Sequence, residues 1–202
     1  MKFDPDQLSL KDCHDLLGCV VLPRPIAFVS TIGANGVNNL APFSYFSIMS
    51  AKPTILGFGI SRKLNGGKKD TLVNVEFSRD FVINVVTEEL AKAMNETSGE
   101  FPPEVDEFKV VGLTAVKSDQ VRSPRVAESP VNMECKLLQI LEFGEALRIN
   151  SFVIGEVLRV HAQENLLVEK VVKAERLQAI GRMGEDLYCR TQDLFEMKRP
   201  VV

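Results

Sequence analysis

The run R-P-I-A-F-V-S-T-I (Arg24 to Ile32), the tetrad G-A-N-G (Gly33 to Gly36) and V-N-N-L-A-P-F-S-Y-F-S (Val37 to Ser47) decide the fold. Ile26 to Ile32 is apolar, β-branched and strand-length, and it ends in two hydroxyls, Ser30 and Thr31. That pattern predicts a buried strand, and Gly33 to Gly36 predicts a hairpin turn that returns Val37 to Ala41 against it. Pro42 has no amide to give a central ladder, so it is expected to interrupt the pairing and free nearby amides for a ligand. After Pro53, T-I-L-G-F-G-I (Thr54 to Ile60) predicts another strand, with Gly57 and Gly59 leaving room for a close approach. G-G-K-K-D-T (Gly66 to Thr71) then opens a helix over Asp70 to Phe77, capped by Asp70 or Thr71, with Leu72, Val75 and Phe77 as its apolar face. Strand ends rich in hydroxyls beside a basic helix start suit a phosphate-bearing ligand.

Working outward, the 202 residues suffice for one well-filled core, and the reading is a single domain over 1–202. There are 24 Lys and Arg against 27 Asp and Glu, a net charge of −3, which gives no electrostatic case for nucleic acid or an anionic membrane. The start M-K-F-D-P-D-Q lacks an apolar signal core, and no apolar run reaches the roughly 20 residues of a membrane span. Cys13, Cys19, Cys135 and Cys189 show no C-x-x-C spacing and read as free thiols in a cytoplasmic protein. With only two histidines, His14 and His161, neither at ligand spacing from a cysteine, zinc is not expected.

Leu8 to Leu17 has helical apolar spacing, and Gly18 to Val21 reads as the start of a strand before Pro23 and Pro25. Phe81 to Val86 is a strand, Thr87 to Glu96 a helix, Thr97 to Lys109 an irregular loop or short helix, and Val110 to Val116 a short strand. Val131 to Phe143 and Ser151 to Ala162 alternate polar and apolar residues as half-buried antiparallel strands do, joined by a hairpin over Gly144 to Asn150. Leu167 to Leu177 is expected to be helical. About seven strands and few helices argue for a mainly β protein, a closed antiparallel barrel with appended helices. No Gly-rich loop joins a strand to a following helix, which disfavours a doubly wound dinucleotide fold.

R-P-I-A-F-V-S-T, N-L-A-P-F-S-Y-F, K-D-T-L-V-N, F-V-I-N-V-V-T-E-E-L-A and the tail G-R-M-G-E-D-L-Y-C-R-T-Q-D-L-F-E-M occur in that order. Together they resemble the flavin reductase-like, FMN-binding split-barrel family, in particular its flavoredoxin type. The resemblance implies a six-stranded antiparallel Greek-key split barrel, a homodimer, and one FMN per protomer near the dimer interface. Carried over by matching position, the FMN-binding residues are Phe28, Ser30, Thr31, Asn39, Leu40, Ala41, Pro42, Phe43, Ser44, Ser61, Lys69, Asp70 and Thr71. Phe28 stands where many relatives have Trp. Arg62, beside Ser61, joins the list as a small-anion contact.

Lys69-Asp70-Thr71 offers free amides, a hydroxyl and an ammonium to a phosphate, against the plainer alternative of an ordinary helix start. Amides around Pro42 would bond the polar edge of the flavin, and one of Phe43, Tyr45 and Phe46 would flank it. Arg24 either reaches the phosphate or forms a structural ion pair. Arg182 and Tyr188 are candidates to reach a partner's flavin. His161 reads as an exposed or core histidine rather than a proton donor. No nucleophilic triad stands out, so nothing demands a protein nucleophile, and the activity the resemblance implies is that of an FMN-dependent flavin reductase or flavoredoxin-like electron carrier. NADH, NADPH or a reduced electron-transfer protein is the donor. A non-catalytic flavin-binding or storage protein and a pyridoxamine-phosphate-oxidase-like enzyme are the alternatives.

Overall fold

The computed structural model describes residues 1–145 and 149–201. The chain opens with helix α1 (Leu10–Val20), then strands β1 (Ala27–Ile32), β2 (Asn38–Phe43), β3 (Phe46–Ser50) and β4 (Ile55–Ser61). Helix α2 (Asp70–Ser78), strand β5 (Asp80–Asn84) and helices α3 (Ala91–Glu96) and α4 (Glu107–Val111) follow. After the short strands β6 (Ala115–Val116) and β7 (Arg125–Val126) come the long strands β8 (Val131–Phe143) and β9 (Asn150–Ala162). The chain finishes with β10 (Leu167–Val168), β11 (Val171–Val172), α5 (Ala174–Leu177), β12 (Ile180–Arg182) and β13 (Tyr188–Arg190).

Seven strands form one antiparallel sheet in the order β2-β1-β5-β8-β9-β4-β3. Its two outermost strands, β2 and β3, are separated in the chain only by Ser44 and Tyr45. Strands at opposite ends of a sheet can be two residues apart only if the sheet curls until its edges meet. Gly59 donates to the Tyr45 carbonyl at 2.8 Å, pinning that junction to β4. The fold is the split barrel that the family resemblance implies. Counting seven strands rather than six reflects one long stretch, Asn38 to Ser50, bent at Ser44-Tyr45 so that it serves both edges.

Pro42 does not interrupt the ladder; it pairs in register with Phe28. The Leu40 amide points away from β1, to Glu107, and by alternation Pro42 faces the same outer side, where no donor is needed. β1 is buried on both faces, which is why it reads as a continuous apolar run. Ala27 and Val29 face the barrel interior with Phe58, Ile60, Leu72, Val75, Phe81 and Val153. Ile26 and Phe28 face a second core under the helices, with Leu90, Met94 and Phe108. Each such side chain stabilises the fold by about 1.5–3 kcal/mol.

Several expectations need correction. α1 continues through Gly18 to Val20 instead of yielding to a strand. The Ser9 hydroxyl caps it by accepting from the Asp12 amide at 3.1 Å, and a capped helix carries a short β-branched tail with it until Pro23. α3 starts at Ala91, because Thr87 bridges to Ala179 instead of capping a helix. Neither Asp70 nor Thr71 caps α2; Lys69 holds the cap position and makes no capping bond with its side chain. Phe77 is exposed under the Arg122 guanidinium, 5.8 Å from its ring centroid, rather than part of the buried face. Leu167 to Leu177 is helical only over Ala174–Leu177, after two short strands at Leu167–Val168 and Val171–Val172. The expected Gly144–Asn150 hairpin lies partly outside the described residues.

Candidate functional site

β4 leads into α2 through a tight Gly66-Gly67 turn, in which the Lys63 amide donates to the Gly67 carbonyl at 2.8 Å and Gly66 takes φ +81°. Because α2 has no side-chain cap, its leading amides at Asp70 and Thr71 find no acceptor among the described residues. Such a helix start carries partial positive charge and open donors. Three lysines surround it. Lys63 is paired with Asp70 at 3.0 Å, and Lys68 is paired with Glu76 at 2.6 Å. The half-buried Lys69 ammonium has no partner among the described residues.

Behind this helix start lies a buried polar network. Thr71 Oγ1 donates to Asn39 Oδ1 at 2.7 Å, Thr31 Oγ1 donates to the same oxygen at 3.3 Å, and Asn74 Nδ2 donates to Thr31 at 3.1 Å. Asn39 Nδ2 in turn donates to Glu107 at 2.9 Å, and the Leu40 amide to its other oxygen at 3.0 Å. Burial raises the Glu107 pKa above its ordinary value, even though those donors pull it down. The network locks the start of α2 to the outer edge of β2.

That edge borders two connected clefts. A small one of about 110 Å³ is lined by Ala41, Pro42, Phe43, Lys69, Asp70 and Thr71 on one side and by Thr97 to Phe101 on the other. It shares Pro42 and Ser98 with a larger cleft of about 500 Å³ that reaches Arg24, Ser44, His14 and Tyr188. Arg24 does not point at the helix start and forms no ion pair among the described residues. It donates to the carbonyls of Gly18, Val21 (3.3 Å) and Met183 (2.9 Å), and to the Ser44 hydroxyl at 3.3 Å. That guanidinium is satisfied by neutral oxygens, and the larger cleft carries Arg182 together with the carboxylates of Asp15, Glu185 and Asp186 on the rest of its lining. Arg182 lies over the Tyr188 ring at 4.6 Å, on the rim of the same cleft.

The fold thus gathers Asn39, Ala41, Pro42, Phe43, Lys69, Asp70 and Thr71 around the small cleft, with Ser44 beside the large one. Thr31 stands behind them in the network. Phe28, Ser30 and Leu40 are interior, and the Ser30 hydroxyl donates to the Pro124 carbonyl and accepts from Asn84. Ser61 and Arg62 point elsewhere: Arg62 pairs with Glu142 at 2.6 Å and reaches Ser151 at 3.1 Å. Phe43 packs in the core against Phe58, ring centroids 5.3 Å apart, while Tyr45 stacks on His14 near the large cleft. The room at Gly57 and Gly59 is taken by Met49, Phe152 and Tyr45, not left open.

Sequence reasoning missed Asn74 and Glu107. Asn74 could have been found as a polar residue three positions after Thr71 on the buried stripe of α2. Glu107 sits in an acidic, proline-flanked segment with no periodicity, and only the fold brings it to Asn39. It also missed a third polar cluster, Asp119, Glu134 and His161, whose ligand-type atoms lie within 4.8 Å of one another. Its carboxylates already have partners: His161 bonds Glu134 at 2.5 Å, the Arg125 guanidinium stands 4.0 Å from Glu134, and Arg159 pairs with Asp119 at 2.7 Å. All four cysteines are free, and burial pushes the Cys135 thiol pKa well up. No described helix is long and apolar enough to cross a membrane.

A family model described as flavin reductase like domain matches residues 17–179. The chain is similar to an uncharacterized protein of Halalkalibacterium halodurans, 36% identical over 100% of this chain and 98% of the other. Among solved structures it resembles nitrilotriacetate monooxygenase component B from Bacillus cereus, with TM-score 0.93, 33% identity and 98% of each chain covered. It also resembles the Pseudomonas fluorescens 2-nitrobenzoate 2-nitroreductase NbaA, with TM-score 0.89, 30% identity, and 99% and 96% of the two chains covered.

Proposed function

The chain belongs to the flavin reductase-like family, and from that premise we propose that it binds FMN across the two connected clefts and reduces it with NADH or NADPH. One observation carries the proposal. The only lysine of the α2 start without a partner among the described residues, Lys69, borders a cleft shared with uncapped helix amides and adjoining a larger one. Those donors fit a phosphate: a cation, open N–H groups and the helix dipole converge on one small space.

When bound, FMN supplies a ring that accepts hydride from a reduced nicotinamide and passes electrons to an acceptor. Lys69 and the amides of Asp70 and Thr71 hold its phosphate, and the Asn39–Glu107 network keeps that helix start fixed against β2. The outer edge of β2 pairs with no further strand in the sheet order of the described residues, so its backbone from Ala41 to Phe43 can face the polar rim of the ring. The larger cleft offers a ligand both signs of charge, Arg24 and Arg182 beside Asp15, Glu185 and Asp186. The names of the similar Bacillus and Pseudomonas proteins, a monooxygenase component and a nitroreductase, support redox work over storage.

The same reading includes a homodimer. α1 exposes Leu10, Leu17 and Val20, and β3 exposes Ile48 and Met49, apolar side chains that their own chain leaves in water. Steady-state oxidation of NADH and NADPH by the FMN-loaded protein tests the catalytic part: a rate well above that of free FMN is expected. A rate equal to free FMN's would leave a flavin-binding protein without turnover.

A further inference from the structure

The start of α2 carries a negative charge that its lysines do not answer. Lys63 and Lys69 line the small cleft together with the carboxylates of Asp70, Glu100 and Glu107. Lys63 and Asp70 satisfy each other at 3.0 Å, and Glu100 is exposed, where water and salt screen it. Glu107 is only 4% exposed and is held by neutral donors, the Asn39 side-chain nitrogen at 2.9 Å and the Leu40 amide at 3.0 Å. The charged groups around it are Asp70 and Lys69 at the helix start, Lys63 before it, Glu100 beyond α3, and Asp106 and Lys109 at its own helix, 3.7 Å from each other. Burial and the Asp70 charge already raise the Glu107 pKa. A phosphate dianion in the cleft is a further like charge and raises it again.

While Glu107 is ionised, the hydrogens of the buried network can run in only one direction. A carboxylate only accepts, so Asn39 turns its nitrogen to Glu107 and its oxygen to the hydroxyls of Thr31 and Thr71. The single hydrogen of the Thr71 hydroxyl is therefore spent inward, at 2.7 Å, and leaves only lone pairs for an anion. A protonated Glu107 reverses the run. Its O–H donates to the Asn39 oxygen, turned to face it, while the Leu40 amide keeps its bond to the other carboxyl oxygen. The Asn39 nitrogen then donates to Thr71 and Thr31, and the Thr71 hydrogen is free for a phosphate oxygen. The two ends of an amide have nearly the same outline, so this half-turn displaces no neighbour. Asn74 completes the exchange by the same half-turn, offering Thr31 its oxygen in place of the nitrogen that now donates at 3.1 Å.

We propose that Glu107 is a positioning residue that takes one proton from solvent when a phosphate dianion binds at the start of α2, turning Asn39 and aiming the Thr71 hydroxyl at the ligand. The inference rests on the reading of that helix start as a phosphate site. The test is titration of the intact protein and of Glu107→Gln with FMN and with riboflavin across a pH series. Glutamine reproduces the protonated acid, since its nitrogen donates to Asn39 and its oxygen accepts from Leu40. The two proteins should hold FMN alike at the acid end, and the ionisation of FMN's own phosphate cancels in their ratio. As pH rises, the intact protein should lose FMN affinity relative to Glu107→Gln by up to about tenfold per pH unit, the slope of one linked proton. Riboflavin, which lacks the phosphate, should show no divergence. A calorimetric measurement needs no variant: at about pH 7.5 a phosphate of second pKa about 6 is already a dianion, so FMN binding should draw protons from the buffer. Proton uptake with FMN but not riboflavin, joined to the alkaline advantage of Glu107→Gln, supports the proposal. A constant affinity ratio without proton uptake, or an equal loss of both ligands in Glu107→Gln, overturns the proton link and leaves the phosphate site standing. No FMN binding at any pH overturns the phosphate site and the proton link with it.

Discussion

Lys69 and Glu134 illustrate opposite uses of charge at the scale of one residue. Lys69 has no partner among the described residues, so removing it should leave folding untouched and remove a ligand contact. A charge-assisted hydrogen bond contributes about 1.5–3 kcal/mol, so Lys69→Ala should weaken FMN by about 10- to 100-fold. Riboflavin, which lacks the phosphate, should bind both proteins alike in a fluorescence-quenching titration; equal loss for both ligands would remove Lys69 from the phosphate site. Glu134 is fully enclosed and stabilises the fold instead. Burial pushes its pKa up, but the amides of Asp119 and Gln120 (2.9 and 2.6 Å) and His161 outweigh that, and the net shift is downward. A carboxylate with a depressed folded pKa contributes stability above its unfolded value, near about 4.3, and that stability is lost as pH falls through the folded value. Glu134→Gln should therefore unfold more easily than the parent at pH 7, and the gap in denaturant midpoint should close on acidification. A gap independent of pH would mean that the residue acts through packing alone.

At the scale of elements, the long strands were legible and the short ones were not. β8 and β9 announce themselves by their length and by stretches of alternation, Asn132, Glu134 and Lys136 in β8 and Arg159 and His161 in β9, although register shifts at Glu134/Cys135 and Leu137/Gln139 break the period. β6, β7, β10 and β11 are two residues long, too short to carry any period. Within the site, the basic start of α2 and the β2 edge could be read because each combines a helix or strand boundary with distinctive side chains. Glu107 could not, since its role comes from a contact 67 residues away in sequence. Glycines that looked like openings for a ligand proved to be places where the barrel packs on itself. A Cβ at Gly155 would stand 2.8 Å from Phe81 Cε1 and 3.3 Å from the Lys136 carbonyl. Gly155→Ala should cost about 1–3 kcal/mol, read as a lowered thermal midpoint. An unchanged midpoint would show that Phe81 can move aside.

At the scale of the whole molecule, the bend at Ser44-Tyr45 does two things at once. It closes the barrel by carrying the chain from one sheet edge to the other, and it turns the outer edge of β2 toward the clefts. It also presents β3 outward, where Ile48 is 74% exposed. Placing a charge there, as in Ile48→Asp, should convert a dimer into a monomer in sedimentation velocity; a parent that sediments as a monomer would contradict the dimer. The central claim, that an uncapped helix start and an unpartnered lysine hold FMN, is tested most directly by a visible absorbance spectrum of the purified protein after mixing with excess FMN and desalting. Retained flavin bands corresponding to one flavin per chain are expected. A colourless protein would contradict the claim and mean that the barrel serves a different ligand.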